Sequence, residues 1–194
     1  MIKYVKSECH VFAKTGRAFG ELSNIHSKFK IQWKDIEIPS SEHLYQMLRY
    51  SHLPEIQRGI LSEPRPMGSK FKAYETIEQT REDWMEIRLP VMTWVVKVKL
   101  CQHIERLSAI LLEEPDKAIV EYSKSDNFWG AVKQSDGTLL GHNYLGRIWM
   151  QARRCIEDGS VIDLSIPGVD LSLLGERLKL ADFKLDKVVR TASL

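Results

Sequence analysis

Residues 40–50, Ser-Ser-Glu-His-Leu-Tyr-Gln-Met-Leu-Arg-Tyr, hold the densest group of side chains able to do chemistry in this 194-residue chain. At helical spacing Leu44, Met47 and Leu48 fall on one face, and Glu42, Gln46 and Arg49 line an adjacent one. Ser40 and Ser41 follow Pro39 and can cap such a helix. Glu42 then sits in the first turn, where free backbone N–H groups and the helix dipole favour an anion, so an ionised, rigidly aimed carboxylate is expected. A fixed carboxylate beside an amide and a guanidinium suits proton transfer. Acidic residues also occupy first turns for purely structural reasons, so the stretch alone identifies no activity.

Three other stretches carry candidate groups. Residues 64–73 read Pro-Arg-Pro-Met-Gly-Ser-Lys-Phe-Lys-Ala; Pro66 predicts a helix start, and Gly68 and Ser69 beside Lys70 let a ligand approach the backbone closely. Residues 118–123 predict a strand that ends at the polar loop Lys124-Ser125-Asp126-Asn127-Phe128-Trp129-Gly130. Loops at strand ends display chemistry, and Trp129 there suits a plate for a base or ribose, or equally a core tryptophan. Asn143 caps a helix running to about residue 156, and with Gly146 nearby its amino terminus suits a phosphate, although many such caps bind nothing.

These side chains need a scaffold to position them. Residues 29–38 alternate as a hairpin that delivers the chain to the helix at Ser40, and Pro54 opens a second short helix. Thr80-x-x-Asp83 reads as the cap of a long helical region over Trp84, Ile87, Val91, Val95, Val98, Leu107 and Leu111, which Pro90 is expected to kink or split. Asp170 is expected to cap a further helix through Leu171, Leu174, Leu178 and Ala181. The fold class expected is α+β: a mainly helical single domain over residues 1–157 with a small sheet from 29–38 and 118–123, and a helical extension, residues 158–194, packed on it.

Hydrophobic residues at 43% and charged residues at 28% describe an ordinary globular chain with room for one sizeable core. A net charge of +2 argues neither for nor against nucleic acid, so any DNA contact needs a local patch. Cys9, Cys101 and Cys155 are odd in number and far apart, and the histidines lack metal-ligand spacing, so neither a disulfide framework nor a metal site is expected. Lys3, Lys6, Glu8 and His10 interrupt the amino terminus, and no run of about 18 apolar residues occurs, so the expectation is a cytoplasmic protein off the membrane.

Set in order, the motifs resemble a family. Ser41-Glu42-His43-x-Tyr45-Gln46 is similar to the signature of the NADAR (YbiA-like) N-glycosidases. Phe19-Gly20-Glu21-Leu22-Ser23-Asn24 resembles the family's Leu-Ser-Asn loop, and Gly68-Ser69-Lys70 its small-residue–lysine element. Arg81-x-Asp83-Trp84, Pro90-Val91-Met92, Glu121, Asp126-x-x-Trp129-Gly130, Asn143-x-Leu145-Gly146 and Arg153 follow in the family's order. One departure is Ala131-Val132-Lys133, where the family has a second glycine soon after Trp-Gly.

The resemblance implies a YbiA-like fold and cleavage of a bond between ribose C1 and nitrogen. It also implies roles: Glu42 as general acid/base, Lys70 as the group that engages C1 through a Schiff base, and Asp126 as the third catalytic residue. Ser23, Asn24, His43, Gln46, Glu121, Trp129, Gly130, Asn143 and Gly146 become substrate-binding candidates, with no cofactor. The substrate implied is ADP-ribosylated guanine in DNA, as for antitoxins of DNA ADP-ribosyltransferase toxins, with a cognate toxin as partner. Early riboflavin-biosynthesis intermediates, or ADP-ribose or NAD bound without catalysis, are the alternatives. Lys14, Arg17, Lys28, Lys30, Arg65, Lys70 and Lys72 are candidates for a basic rim along a phosphate backbone.

Overall fold

The structure, a computed structural model, describes residues 1–13, 15–168 and 170–185. In chain order the elements are β1 (Ile2–Tyr4), β2 (Cys9–Phe12), β3 (Ile31–Trp33), β4 (Ile36–Ile38), α1 (Ser41–Leu48), α2 (Pro54–Leu61), α3 (Pro66–Tyr74) and α4 (Trp84–Gln102). There follow α5 (Ile104–Leu111), β5 (Ala118–Ser123), β6 (Ala131–Lys133), β7 (Leu139–Gly141), α6 (Tyr144–Glu157), β8 (Ser172–Leu173) and β9 (Glu176–Arg177). Contacts group them into two compact units, Met1–Ser23 with Ile104–Ile162, and Asn24–His103 with the chain from Asp163 onward. The expected α+β class holds.

The first unit is built on a five-stranded mixed sheet in the order β1-β7-β6-β5-β2. β5 pairs in parallel with β2 and β6, while β7 runs antiparallel to β6 and β1. The expected small sheet joining residues 29–38 to 118–123 is therefore corrected: the two segments belong to different sheets. The strands that β5 does pair with are three or four residues long, too short to show a period in sequence. Helix α6 lies against β5 at Gly146, where a Cβ would collide with Ile119 O and with the Asn143 amide.

In the second unit the β3–β4 hairpin precedes α1, whose eight residues are all buried. Helix α1 touches α2, α3, α4, β4 and β8. Helix α4 continues through Pro90, and the expected split falls instead at His103. Proline removes one hydrogen bond and costs about 3 kcal/mol in a helix interior. Val91, Met92, Val95 and Val98 are buried beyond it, each contributing about 1.5–3 kcal/mol, so packing wins. The cap expected at Thr80 is also corrected, because Thr80 Oγ1 accepts from Arg49 Nε at 2.8 Å and Asp83 forms a two-pronged pair with Arg81 at 2.6 and 2.9 Å.

Residues 170–185 are not the helix expected of them. They form the β8–β9 hairpin and a 3-10 turn at Leu180–Asp182, and residues 186–194 lie outside those described. Leu171, Leu174 and Leu178 imitate helical spacing, but Leu174 and Gly175 have φ of 53° and 92°, the paired positive values of a tight hairpin turn. The hairpin belongs to the second unit. Gln57 of α2 accepts from Leu174 N at 2.6 Å and donates to Ser172 O and Met47 O, each at 2.9 Å.

Candidate functional site

Helix α1 is buried, yet it carries Ser41, Glu42, His43 and Gln46 inside. Buried polar groups require partners, so the partners divide scaffold from site. Ser40 caps the helix as the sequence predicts: its Oγ accepts from His43 N at 3.3 Å. His43 is fully buried, with Nδ1 2.8 Å from Ser40 Oγ and Nε2 2.9 Å from Glu63 O. A carbonyl only accepts, so Nε2 carries the proton and Nδ1 accepts from the serine hydroxyl. Both nitrogens are spent inside the protein. His43 ties the start of α1 to the segment before α3, and burial lowers its pKa.

Glu42 is different. Its backbone N–H donates to Asn24 O at 3.0 Å, and its Oε1 accepts from Gln46 Nε2 at 2.8 Å. Burial pushes its carboxyl above the ordinary carboxylate range, while the Lys70 ammonium and the Gln46 amide pull it part of the way back. The helix terminus therefore does not hold Glu42 as the firmly ionised group its sequence position predicts, because loss of water outweighs the dipole. Lys70 is half-buried in α3, and its charge acts on the Glu42 carboxyl against the effect of burial.

Around Glu42, Asn24 Oδ1, Ser41 Oγ and Gln46 Oε1 lie buried without a hydrogen-bond partner among the described residues. Leaving a buried polar group unsatisfied costs about 1–3 kcal/mol, so three of them, on Glu42's neighbours in α1 and on the segment bonded to its backbone, fit a polar ligand better than stability. Asn24 also turns its Nδ2 onto the Met92 sulfur at 3.0 Å.

Tyr45 and Arg49 of the same stretch meet side chains of α3 and α4. Tyr45 packs on Trp84 with centroids 5.0 Å apart, and its phenol is pushed well above the ordinary value by burial and by the Glu42 charge, against Arg88 and Arg49. The Arg49 guanidinium lies 5.4 Å from the Tyr74 ring centre and 5.9 Å from that of Trp84. Tyr45, one turn after Glu42, was legible as a neighbour; Tyr74, Trp84 and Arg88 come from α3 and α4 and had no local signal.

The first unit holds the other candidates as a separate group. Asp126 Oδ1 accepts from Phe128 N and Trp129 N, both at 2.9 Å, closing the loop after β5. That loop's carbonyls at Phe128 and Trp129 accept from Tyr144 N and Leu145 N. The first amides of α6, expected to suit a phosphate, are thus occupied by backbone. Asn143 is corrected too: fully buried at φ 52°, it makes no side-chain cap and instead accepts from Glu121 N at 3.0 Å and donates to Ile119 O at 2.8 Å. Gly130 and Gly146 are scaffold by the same logic, since a Cβ on Gly130 would stand 2.5 Å from Glu121 O. Trp129 is half-buried with its ring edge-on to Phe128 at 4.9 Å, Glu121 is likewise half-buried in β5, and Ser23 is buried at the end of the 3-10 turn Gly20–Leu22.

Of the expected basic rim, Lys14 lies outside the described residues, Lys30 pairs with Glu37 at 2.6 Å and Lys72 with Glu75 at 2.7 Å. Among the described residues no cluster of three His, Cys, Asp or Glu side chains is arranged to hold a metal ion, and no helix is long and apolar enough to cross a membrane.

A family model described as the NADAR domain matches residues 11–157. A riboflavin biosynthesis protein of Vibrio vulnificus is 31% identical over 65% of this chain and 33% of its own length. The chloroplastic riboflavin biosynthesis protein PYRR of Zea mays is 31% identical over 73% of this chain and 24% of its own length. This chain therefore spans a third or less of those two relatives. An N-glycosidase of Nostoc punctiforme is 28% identical over 76% of this chain and 92% of that protein. The NMR structure of E. coli YbiA shares 25% identity with a TM-score of 0.64, covering 80% of this chain and 89% of that one.

Proposed function

Because this chain belongs to the NADAR family, we propose that it is an N-glycosidase that hydrolyses the bond between ribose C1 and a base nitrogen, and that its substrate is ADP-ribosylated guanine in DNA. The observation that carries the reading is the buried Glu42 carboxyl, held by Gln46 Nε2 at 2.8 Å next to the unpartnered Gln46 Oε1, its pKa raised by burial and countered by the Lys70 charge. A module that only binds needs complementarity but no proton donor held in reserve.

The chemistry follows from those groups. A carboxyl whose pKa burial raises can carry the proton that an amine leaving group needs as its bond to C1 breaks. With the ribose opened to an imine, Lys70 Nζ gives a proton to the Glu42 carboxylate and its freed lone pair adds to C1, a second Nζ proton moving to the former imine nitrogen. The guanine amine then departs with the proton from Glu42, leaving a Schiff base between Lys70 and the sugar. Water adds to that carbon, with Glu42 now accepting a proton, and the free aldehyde sugar and the lysine amine are regenerated. Asn24 Oδ1 and Gln46 Oε1, both acceptors, are assigned to ribose hydroxyls, and the Ser41 hydroxyl to a ribose oxygen.

A second substrate reading is favoured by the names of the Vibrio and maize relatives: an early riboflavin-biosynthesis intermediate that carries the same C1–nitrogen link. One experiment separates them. Wild type, Glu42→Gln and Lys70→Ala are incubated with a guanine-ADP-ribosylated oligonucleotide and, in parallel, with those intermediates, following oligonucleotide mobility and released sugar. Release of ADP-ribose by wild type alone supports the proposal. Turnover of the small molecules alone transfers the function to them, and turnover of neither refutes the glycosidase reading.

A further inference from the structure

Helix α3 turns one side outward. Met67, Phe71 and Tyr74 fall at i, i+4 and i+7, and are 41%, 64% and 44% exposed. Three large apolar side chains in one exposed row are uncommon on a soluble surface. Lys70 lies within the same row, its Nζ 5.9 Å from the Tyr74 ring centre, and the Arg49 guanidinium approaches that ring to 5.4 Å. No acidic residue occurs in α3, and the acid that follows it, Glu75, is engaged by Lys72. Arg65, at the start of the helix, is exposed.

An apolar row would fit many partners, but the cations inside it narrow the choice. An apolar protein face gains nothing from Lys70 and Arg65, whereas a single-stranded polynucleotide offers π faces for the rings and phosphates for the cations, with spacing set by the strand itself. The row also runs past Lys70, the side chain whose charge acts on Glu42. We propose that the exposed face of α3 is a stacking platform for single-stranded nucleotides flanking the one held at Glu42, with a base on Phe71, its neighbour against Met67, and a phosphate at Arg65. This inference rests on the DNA substrate reading above and adds that the strand is engaged unpaired.

The test uses Phe71, exposed enough that its replacement leaves folding intact. Fluorescence anisotropy follows a labelled, unmodified single-stranded oligonucleotide titrated with wild type, Phe71→Ala and Phe71→Trp, and KM is measured for an ADP-ribosylated oligonucleotide and for ADP-ribosylated guanosine. Phe71→Ala is expected to weaken strand binding about tenfold, the effect of removing one stacking ring, and to raise KM for the oligonucleotide but not for the nucleoside. Phe71→Trp should restore both. Unchanged strand affinity in Phe71→Ala overturns the platform, as does concentration-dependent self-association lost in Phe71→Ala without any strand binding. If Phe71→Ala weakens strand binding but wild type releases no ADP-ribose from DNA, the platform stands and the substrate reading fails.

Discussion

Gln46 donates its amide to Glu42 at 2.8 Å while its own carbonyl oxygen lies buried with no partner. One helix turn thus steadies a carboxylate and presents a bare acceptor next to it. The arrangement lowers stability and makes sense as preparation for a ligand.

Glu42→Gln is therefore expected to separate activity from stability. Turnover should fall by about 10²–10⁴-fold, the usual contribution of a positioned acid–base group. Thermal stability should rise. The folded protein holds the Glu42 proton more tightly than the unfolded chain does, so wild-type stability declines as pH rises above the ordinary value of 4.5 and through the raised folded value. Melting temperatures of the two proteins should converge near pH 4.5 and diverge above it, and a variant less stable than wild type at pH 7.5 would count against the site.

Asn24→Ala removes a buried oxygen that has no partner among the described residues and an amide that donates to the Met92 sulfur. The variant should be no less stable than wild type, the relief of about 1–3 kcal/mol offsetting the lost packing. KM should rise several-fold with little change in kcat. Urea denaturation and steady-state kinetics on the same preparation check the two halves.

His43 contributes a slope of the opposite sign. Burial lowers its folded pKa below the ordinary 6.5, so its contribution is complete above about pH 6.5 and is lost as pH falls below that value. His10, also lowered mainly by burial, adds a similar slope. The urea midpoint should drop on acidification below pH 6.5, and His43→Asn, less stable throughout, should show a shallower drop.

Asn143→Ala leaves Glu121 N and Ile119 O without their side-chain partner, and should cost about 1–3 kcal/mol in urea denaturation. Gly146→Ala, which forces a Cβ onto Ile119 O, should cost a similar amount by overpacking. If either variant retained full stability but lost substrate affinity, Asn143 and Gly146 would return to the binding role that their motif implies.

The sequence by itself determined what is local. The cap at Ser40, the proline starts of α2 and α3, the hairpin before α1 and the identity of Glu42 and Lys70 as reactive groups all rest on near neighbours or on an ordered set of motifs. Tertiary structure decided what depends on distant surroundings. Glu42 reads as an ionised first-turn acid until burial of the whole helix raises its pKa, and Asn143 reads as a ligand-facing cap until β5 claims both ends of its amide. Helix α4 survives Pro90 because the burial that holds it is invisible along the chain. Residues 171–178 abandon helical spacing because two positive φ angles and the Gln57 amide favour a hairpin. Propensity and capping act over a turn or two, whereas desolvation and partner choice are fixed by residues that meet only once the chain has folded.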